Sequence, residues 1–354
     1  MEQRTIRPRI ADVARVAGVS KTAVSFAFNN PDRLSTETAR RIRRVADQLG
    51  YTPHPVARML SQRQTLTIGV LTPQALSVVF SNPFFGAFTE GVAVVAEESG
   101  YALHFISPLR GSLAGALNRA TVDGVVAIGL SDAHPEVEAI RRAGVPIVMV
   151  DSTALPDHPS IQIDDAGGAR AAAEHLIALG HRDVVIIGME PPLPAPAPRT
   201  AGVSDRRLLA YREAFQAVGV EVGDDRVVLG PASIAGGSAA LRSMWASGLR
   251  PTAVLAMSDA MAIGAMHTLR NLGLDVPTDV SVVGFDDIDL ASHVEPPLTT
   301  VHQPIRKKGE EAVRLLLAVV GERGPENGAA TPEHRRLETR LVVRGSSGPV
   351  RPPR

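Results

Sequence analysis

Beyond residue 65 the chain alternates short apolar runs with segments of helical period. The apolar, β-branched runs fall at 66–71, 124–129, 145–151, 183–188, 253–257 and 280–286. Several are apolar almost throughout, as expected of parallel strands covered by helices on both faces. Helix-period segments lie between them at 84–99, 135–143, 166–179, 207–218, 237–246 and 259–272. This strand–helix alternation predicts a doubly wound α/β body. At about 280 residues the body is large for one sheet, so two lobes are expected. The proline-rich stretch 189–199 (MEPPLPAPAPR) reads as an extended surface loop, because proline removes donors that regular structure needs. A polar breaker is expected over 322–331, and a disordered tail over 346–354.

The first sixty residues follow a different pattern, with short helices and no convincing strand. A helix is predicted over 10–17. Gly18 follows it where a left-handed turn is needed, and Ser20 is placed to cap the next helix. Ile10, Val13, Val19 and Val24 would form a small core, with Ala14 letting two helices approach. Ser35 would cap a third helix over 36–49, stopped by Gly50. Its Ile42, Val45 and Leu49 face inward and Arg40, Arg41, Arg43 and Arg44 outward. The Ala14, Gly18 and Val24 spacing points to a helix-turn-helix. An unrelated small helical bundle is the plainer alternative.

Charge sharpens this division. Residues 1–63 carry 12 Lys+Arg against 5 Asp+Glu, net +7, and the remainder 25 against 32, net −7. A basic head on an acidic body suggests a polyanion partner, although a solvated basic helix would look the same. In a DNA-binding head, Lys21, Thr22, Ser25 and Phe26 would face base edges, and Ser20, Asn29 and Thr38 would bind phosphates. Any of these Ser and Thr residues is equally suited to capping. With no cysteine, disulfides and zinc–thiolate sites are excluded. The N-terminus lacks the apolar core of a signal peptide, and no run approaches membrane-span length, so a cytoplasmic location is expected. No dinucleotide fingerprint, phosphate loop, nucleophile elbow or HExxH motif is present, so no catalytic residue, metal or cofactor is expected. A transport or chemotaxis binding protein would share such a body, but the basic head and the missing signal peptide oppose that reading.

The segment RIADVARVAGVSKTAVSFAFNNPDRLSTETARRIRRVADQLGYTPHPVARML strongly resembles the head of the LacI/GalR (lactose- and galactose-repressor) family. The likeness extends through the body to LVVRGSS near the end. It implies an N-terminal all-α helix-turn-helix head over 1–53, a hinge and linker over 54–65, and a two-lobed, periplasmic-binding-protein-like body over 66–345. Crossings near Asp164, Ser292 and Gly324 would then divide the body. Lobe 1 would take about 66–163 and 293–324, and lobe 2 about 164–292 and 325–345. The resemblance also implies a homodimeric regulator, most simply a repressor. It would bind roughly palindromic double-stranded operator DNA under the control of a small, sugar-like effector. No leucine heptad follows Gly345, so a tetramerising tail is not expected.

Two departures from the family pattern bear on specificity. Phe26 stands where the family usually has an arginine that reads bases. It either makes apolar contact, for example with a thymine methyl, or packs inward. Ser258-Asp259 replaces the frequent Asn-Asp of the effector site.

The stretch 54–61 (HPVARMLS) matches the family hinge helix. It is too short to be a stable helix alone and would fold against a partner hinge in the minor groove. Val56 and Ala57 would pack on that partner, and Leu60 would wedge into a central base step. The plain alternative is a linker whose Leu60 caps the body.

Ligands of open α/β sheets bind beyond the carboxyl ends of strands. The family motifs NPFF, VD, RLLAY, SDAMAIGA and VVGFDD fall at such places. They nominate Phe84, Phe85, Asp151, Arg207, Ser258, Asp259 and Asp286 as effector contacts. Carboxylates accept paired hydroxyl hydrogen bonds, Arg207 offers a planar fork, and an aromatic ring can stack on a sugar. Phe84 and Phe85 serve equally well as core, Asp259 as a helix cap, and Asp287 as a structural group. A Leu60→Ala variant is expected to weaken binding to a selected operator far more than binding to scrambled DNA in a titration at fixed salt. Equal losses on both would contradict the wedge.

Overall fold

The computed structural model describes residues 8–52, 64–130, 134–152, 157–190, 202–321 and 331–351. The chain divides into two units, Met1–Thr65 and Leu66–Arg354. The hinge residues Val56, Ala57 and Leu60 lie outside the described residues, as do residues 191–199 of the proline-rich stretch and 322–330 of the polar breaker.

The head holds three helices, α1 (Ile10–Ala17), α2 (Lys21–Asn29) and α3 (Thr36–Leu49). Gly18 takes φ 63° and ends α1. The Ser20 hydroxyl accepts from the Ala23 N–H at 3.1 Å and starts α2. Ser35 caps α3 through the Thr38 N–H, and Gly50, φ 65°, terminates it. Val13, Ala14, Ala17, Val24, Ala27, Ile42 and Ala46 form the core, with Ile10, Val19, Val45 and Leu49 packed around it. One of the outward arginines is also anchored. Arg43 donates through Nε and a terminal nitrogen to the Ala27 carbonyl, closing the C-terminal end of α2.

The body runs β1 (Thr67–Leu71), α4 (Leu76–Val79), α5 (Pro83–Glu98), β2 (Ala102–Ile106), α6 (Leu113–Leu117), β3 (Gly124–Ile128), α7 (Val137–Arg142), β4 (Ile147–Val150), β5 (Ser160–Ile163) and α8 (Asp165–Ala178). It continues with β6 (Val184–Met189), α9 (Val203–Gln216), β7 (Val227–Gly230), α10 (Ile234–Ala246), β8 (Ala253–Ala256), α11 (Asp259–Asn271), β9 (Ser281–Asp286), β10 (Thr299–His302), α12 (Ile305–Gly321), β11 (His334–Leu337) and β12 (Arg340–Val342). Two six-stranded sheets result, in the orders β11-β5-β4-β3-β1-β2 and β12-β10-β9-β8-β6-β7. All pairings are parallel except that of β10 with β12. Each sheet reverses direction of winding beside its first strand, between β1 and β3 and between β6 and β8, the usual place for a ligand crevice.

In the first lobe, α5 and α12 cross where each presents a glycine. A Cβ on Gly91 would lie 2.0 Å from the Arg306 carbonyl oxygen, and one on Gly309 would lie 2.4 Å from that of Phe88. This close approach seats α12 firmly against α5 and aims its inner face at the sheet.

The strand pairings shift the lobe boundaries. The first crossing lies at Asp164, as expected. β10 belongs to the second sheet and α12 packs on the first, so the second crossing falls at Gln303–Pro304 and not near Ser292. β11 pairs with β5 and β12 with β10, which moves the third crossing from Gly324 to the turn between Leu337 and Arg340. The helix carrying Arg207 starts at Val203, one turn earlier than the sequence pattern indicated.

The tail is also not frayed over its described part. The Ser346 hydroxyl accepts from Thr299 N–H and donates to the Val282 carbonyl, the Val350 N–H donates to the Leu179 carbonyl, and Arg351 pairs with Asp279 at 3.0 Å. His175 meets Ser347, and His181 meets Thr252, Ser281 and the Gly348 carbonyl, so both histidines fasten this segment. Among the described residues no helix is long and apolar enough to cross a membrane.

Candidate functional site

The body's site is a layer of polar side chains buried at the carboxyl ends of both sheets. Asp151 follows β4 with φ 51°, and Asp286 and Asp287 end β9 with φ 125° and 59°. Non-glycine residues seldom hold these conformations, and each costs on the order of 1–3 kcal/mol that surrounding contacts must offset. Here the contacts are ionic. The Lys308 ammonium, fully buried on the inner face of α12, lies 2.7 and 2.9 Å from the two carboxylate oxygens of Asp151. It also donates to Gln303 Oε1 at 2.6 Å, and Gln303 Nε2 donates to the Asp286 carboxylate. Lobe 1, the crossover and lobe 2 are thus joined in one hydrogen-bonded line.

On the second lobe's side, the Arg207 guanidinium lies 3.5 Å from the centre of the Phe285 ring. Its Nε donates to Asp165 at 2.9 Å and a terminal nitrogen donates to the Met257 carbonyl at 2.7 Å. Burial opposes the Arg207 charge, but the neighbouring Asp165 and Asp286 outweigh it and hold the guanidinium protonated. Arg206 takes the other oxygen of Asp165 at 2.6 Å. Burial drives the Asp286 carboxyl up to about 7, although Arg207, Gln303 and Lys308 pull it back toward the ionised form. Burial, with Asp286 nearby, also raises Asp259 well above the ordinary carboxylate range.

Of the seven nominated effector residues, Asp151, Arg207 and Asp286 converge in this layer. Phe84 joins them, with its ring 5.3 Å from the Lys308 ammonium. Phe85 stands edge-on to Phe84 at 5.4 Å, and both rings are half-buried against the core. Ser258, not Asp259, is the N-cap of α11, accepting from the Met261 N–H. Asp259 is fully buried, with one oxygen accepting from the Thr300 hydroxyl and the other from the Ile288 N–H at 2.9 Å. Asp259 thereby ties α11 to β10 and to the segment after β9, while Ser258 caps α11. Asp287 is bound by Arg344 and His302.

Sequence reasoning missed Lys308, Gln303, Asp165 and Arg206. Lys308 had a readable signal. It falls in phase with Ile305, Gly309, Ala312 and Leu316 on the buried face of α12, where a charge is rarely tolerated without a partner.

In the head, Lys21 and Thr22 are exposed in the first turn of α2. Ser25 accepts from Asn29 Nδ2 at 3.3 Å. The Ser20 hydroxyl caps α2, and the Thr38 hydroxyl meets that of Ser35 at 2.8 Å. Phe26 is half-buried and does not pack on the head core.

A helix-turn-helix head on a two-lobed binding-protein body defines a ligand-responsive, DNA-binding regulator of transcription. Residues 9–54 match the bacterial regulatory proteins of the lacI family, and residues 173–347 match a periplasmic binding protein-like domain. The chain is 35% identical to the HTH-type transcriptional regulator CelR of Thermobifida fusca, over 98% of this chain and 100% of that protein. It is 34% identical to the ribose operon repressor of Escherichia coli K12, over 86% and 91%. Among solved structures, it resembles a lac repressor dimer bound to operator and the anti-inducer ONPF, with TM-score 0.78, 27% identity and coverage of 97% and 100%. It also resembles a CelR–cellobiose complex, with TM-score 0.69, 32% identity and coverage of 96% and 100%. The chain belongs to the lacI family of transcriptional regulators.

The buried carboxyl of Asp286 generates a pH dependence. Its folded value near 7 exceeds the unfolded value near 4, so its contribution favours the fold when protonated. That contribution is full below about pH 4 and is lost as pH rises through 7. Asp286→Asn, which cannot ionise, should gain stability relative to the native chain between pH 4 and 7 in urea titrations. A constant difference across that range would contradict the assignment.

Proposed function

We propose that the protein is a cytoplasmic, homodimeric operator-binding repressor whose DNA affinity is set by a small, sugar-like effector held between the two lobes. The convergence of Asp151, Arg207 and Asp286 at the carboxyl ends of two facing sheets carries this reading. The half-buried ring of Phe84 supplies an apolar wall beside these charges, a combination suited to a ring with hydroxyls on its edge and a flat apolar face. Relatives whose names or structures include ribose and cellobiose support this ligand class.

The groups of the layer are partnered with one another. Lys308 satisfies Asp151, Gln303 satisfies Asp286, and Asp165 with the Met257 carbonyl satisfies Arg207. An incoming ligand must exchange hydrogen bonds with these groups, which alters the spacing of the lobes. If the hinge segments of two protomers fold together on DNA, that change of spacing alters operator affinity. Coupling of this kind is reciprocal, so operator also changes effector affinity by the same factor. The head's paired helices α2, with Lys21, Thr22, Ser25 and Phe26, would read two half-sites of a roughly palindromic operator. Ser20, Asn29 and Thr38 would lie toward the phosphates. No chemical transformation of the ligand is part of this role.

Full-length protein titrated onto a selected operator, with and without each of a panel of mono- and disaccharides that includes ribose and cellobiose, tests the reading. One ligand should change the affinity by roughly 5- to 150-fold. Arg207→Ala should abolish that response while leaving ligand-free operator binding intact. No response to any sugar in the panel would remove this ligand class.

A further inference from the structure

We propose that Arg33 is a specificity-determining residue of the head, acting together with Phe26 as one composite reader of two adjoining base pairs. The inference rests on the operator-binding reading and adds a residue and a base preference to it. The Arg33 guanidinium carbon lies 5.4 Å from the centre of the Phe26 ring. That is within the roughly 6 Å over which a cation is held by an aromatic face. Phe26 is half-buried on α2 without packing on the head core, and Arg33 is exposed beside it.

The backbone holds this pair in place. Arg33 closes the short 3-10 turn Pro31–Arg33, its N–H donating to the Asn30 carbonyl at 3.1 Å, and the Leu34 N–H donates to the Pro31 carbonyl at 3.0 Å. Pro31 fixes one dihedral of that turn outright. Two of the described arginines of the head are committed elsewhere, Arg15 to Asp12 and Arg43 to the Ala27 carbonyl, and Arg33 is the one set against an aromatic ring of α2. Among the described residues Arg33 forms no salt bridge, and its side chain is exposed.

A guanidinium pre-ordered by an aromatic ring loses little further freedom when it forms two hydrogen bonds in a plane. Its natural partner in the major groove is the O6/N7 edge of guanine, while the Phe26 ring suits a thymine methyl. Base pairs stack about 3.4 Å apart. A ring and a guanidinium 5.4 Å apart, a separation between one and two such steps, are close enough to address adjoining pairs. The preferred half-site should hold a thymine next to a guanine.

Full-length native protein, Arg33→Lys and Phe26→Leu are used to select sites from randomised duplexes, and affinities for the selected and a scrambled site are measured at one salt concentration. The native chain should recover adjoining T and G in each half-site. Arg33→Lys keeps the charge but loses the planar fork. It should lose the guanine preference and about 5- to 150-fold in affinity for the selected site, with scrambled-DNA affinity unchanged. Phe26→Leu keeps an apolar contact but loses the aromatic face, so it should retain thymine and weaken guanine. Unchanged base preferences for Arg33→Lys, or equal losses on selected and scrambled DNA, would overturn the inference and leave operator binding standing. Failure of the native chain to select any sequence would overturn both.

Discussion

The ammonium of Lys308 sits fully buried at the point where the two lobes meet, and much of the body's arrangement follows from accommodating it. Taking an ammonium out of water costs several kcal/mol unless its protons are matched. Lys308 matches its protons to both oxygens of Asp151 and to the Gln303 carbonyl oxygen. Those bonds orient the Gln303 amide so that its nitrogen faces Asp286. They also help hold Asp151 in a left-handed backbone conformation, because the ion pair fails if that carboxylate turns away. One buried charge thereby fixes a residue in the first lobe, the crossover and a residue in the second lobe. Such a link is well suited to a switch. Each lobe is built on its own six-stranded sheet, and the line between them consists of polar contacts alone.

The head shows a similar economy. Its helices start and stop on the residues whose chemistry requires it, Ser20 and Ser35 as caps and Gly18 and Gly50 as left-handed stops. Arg43, still exposed on α3, reaches back to close α2, which exposes Lys21 and Thr22 in its first turn and sets the Phe26 ring against Arg33.

The features legible in the sequence were those set by local pattern. The buried strands β1, β3, β4, β6, β8 and β9 are apolar runs, and their positions were read within a residue or two. The three head helices followed from caps and period. The strands that escaped were β2, β5, β7, β10, β11 and β12, which are short, include the sheet edges, or carry charges, as in the HRRL of β11. β11 and β12 carry the charges that edge strands often use against aggregation, while β2 and β7 are apolar but only five and four residues long. Missing β10 and β11 displaced two of the three crossings. The tail was misjudged because its hydrogen bonds go to residues far away in sequence, His181, Val282 and Thr299. In the site, Asp151, Arg207 and Asp286 were visible as polar residues at strand ends or in family motifs. Gln303 was not, because its role exists only once α12 folds back onto the first lobe, and Lys308 was legible only as a charge in phase with the buried face of α12.

The central claim is that the Asp151–Lys308–Gln303–Asp286 line holds the two lobes in one relative position. The chain has no cysteine, so spin labels can be placed cleanly at Ser99→Cys on the first lobe and Ser243→Cys on the second. Pulsed electron–electron double resonance then reports the distance between them. The unsubstituted line should give one narrow distribution, and the charge-neutral pair Asp151→Asn with Lys308→Met should broaden or shift it. Identical distributions in both would contradict the claim.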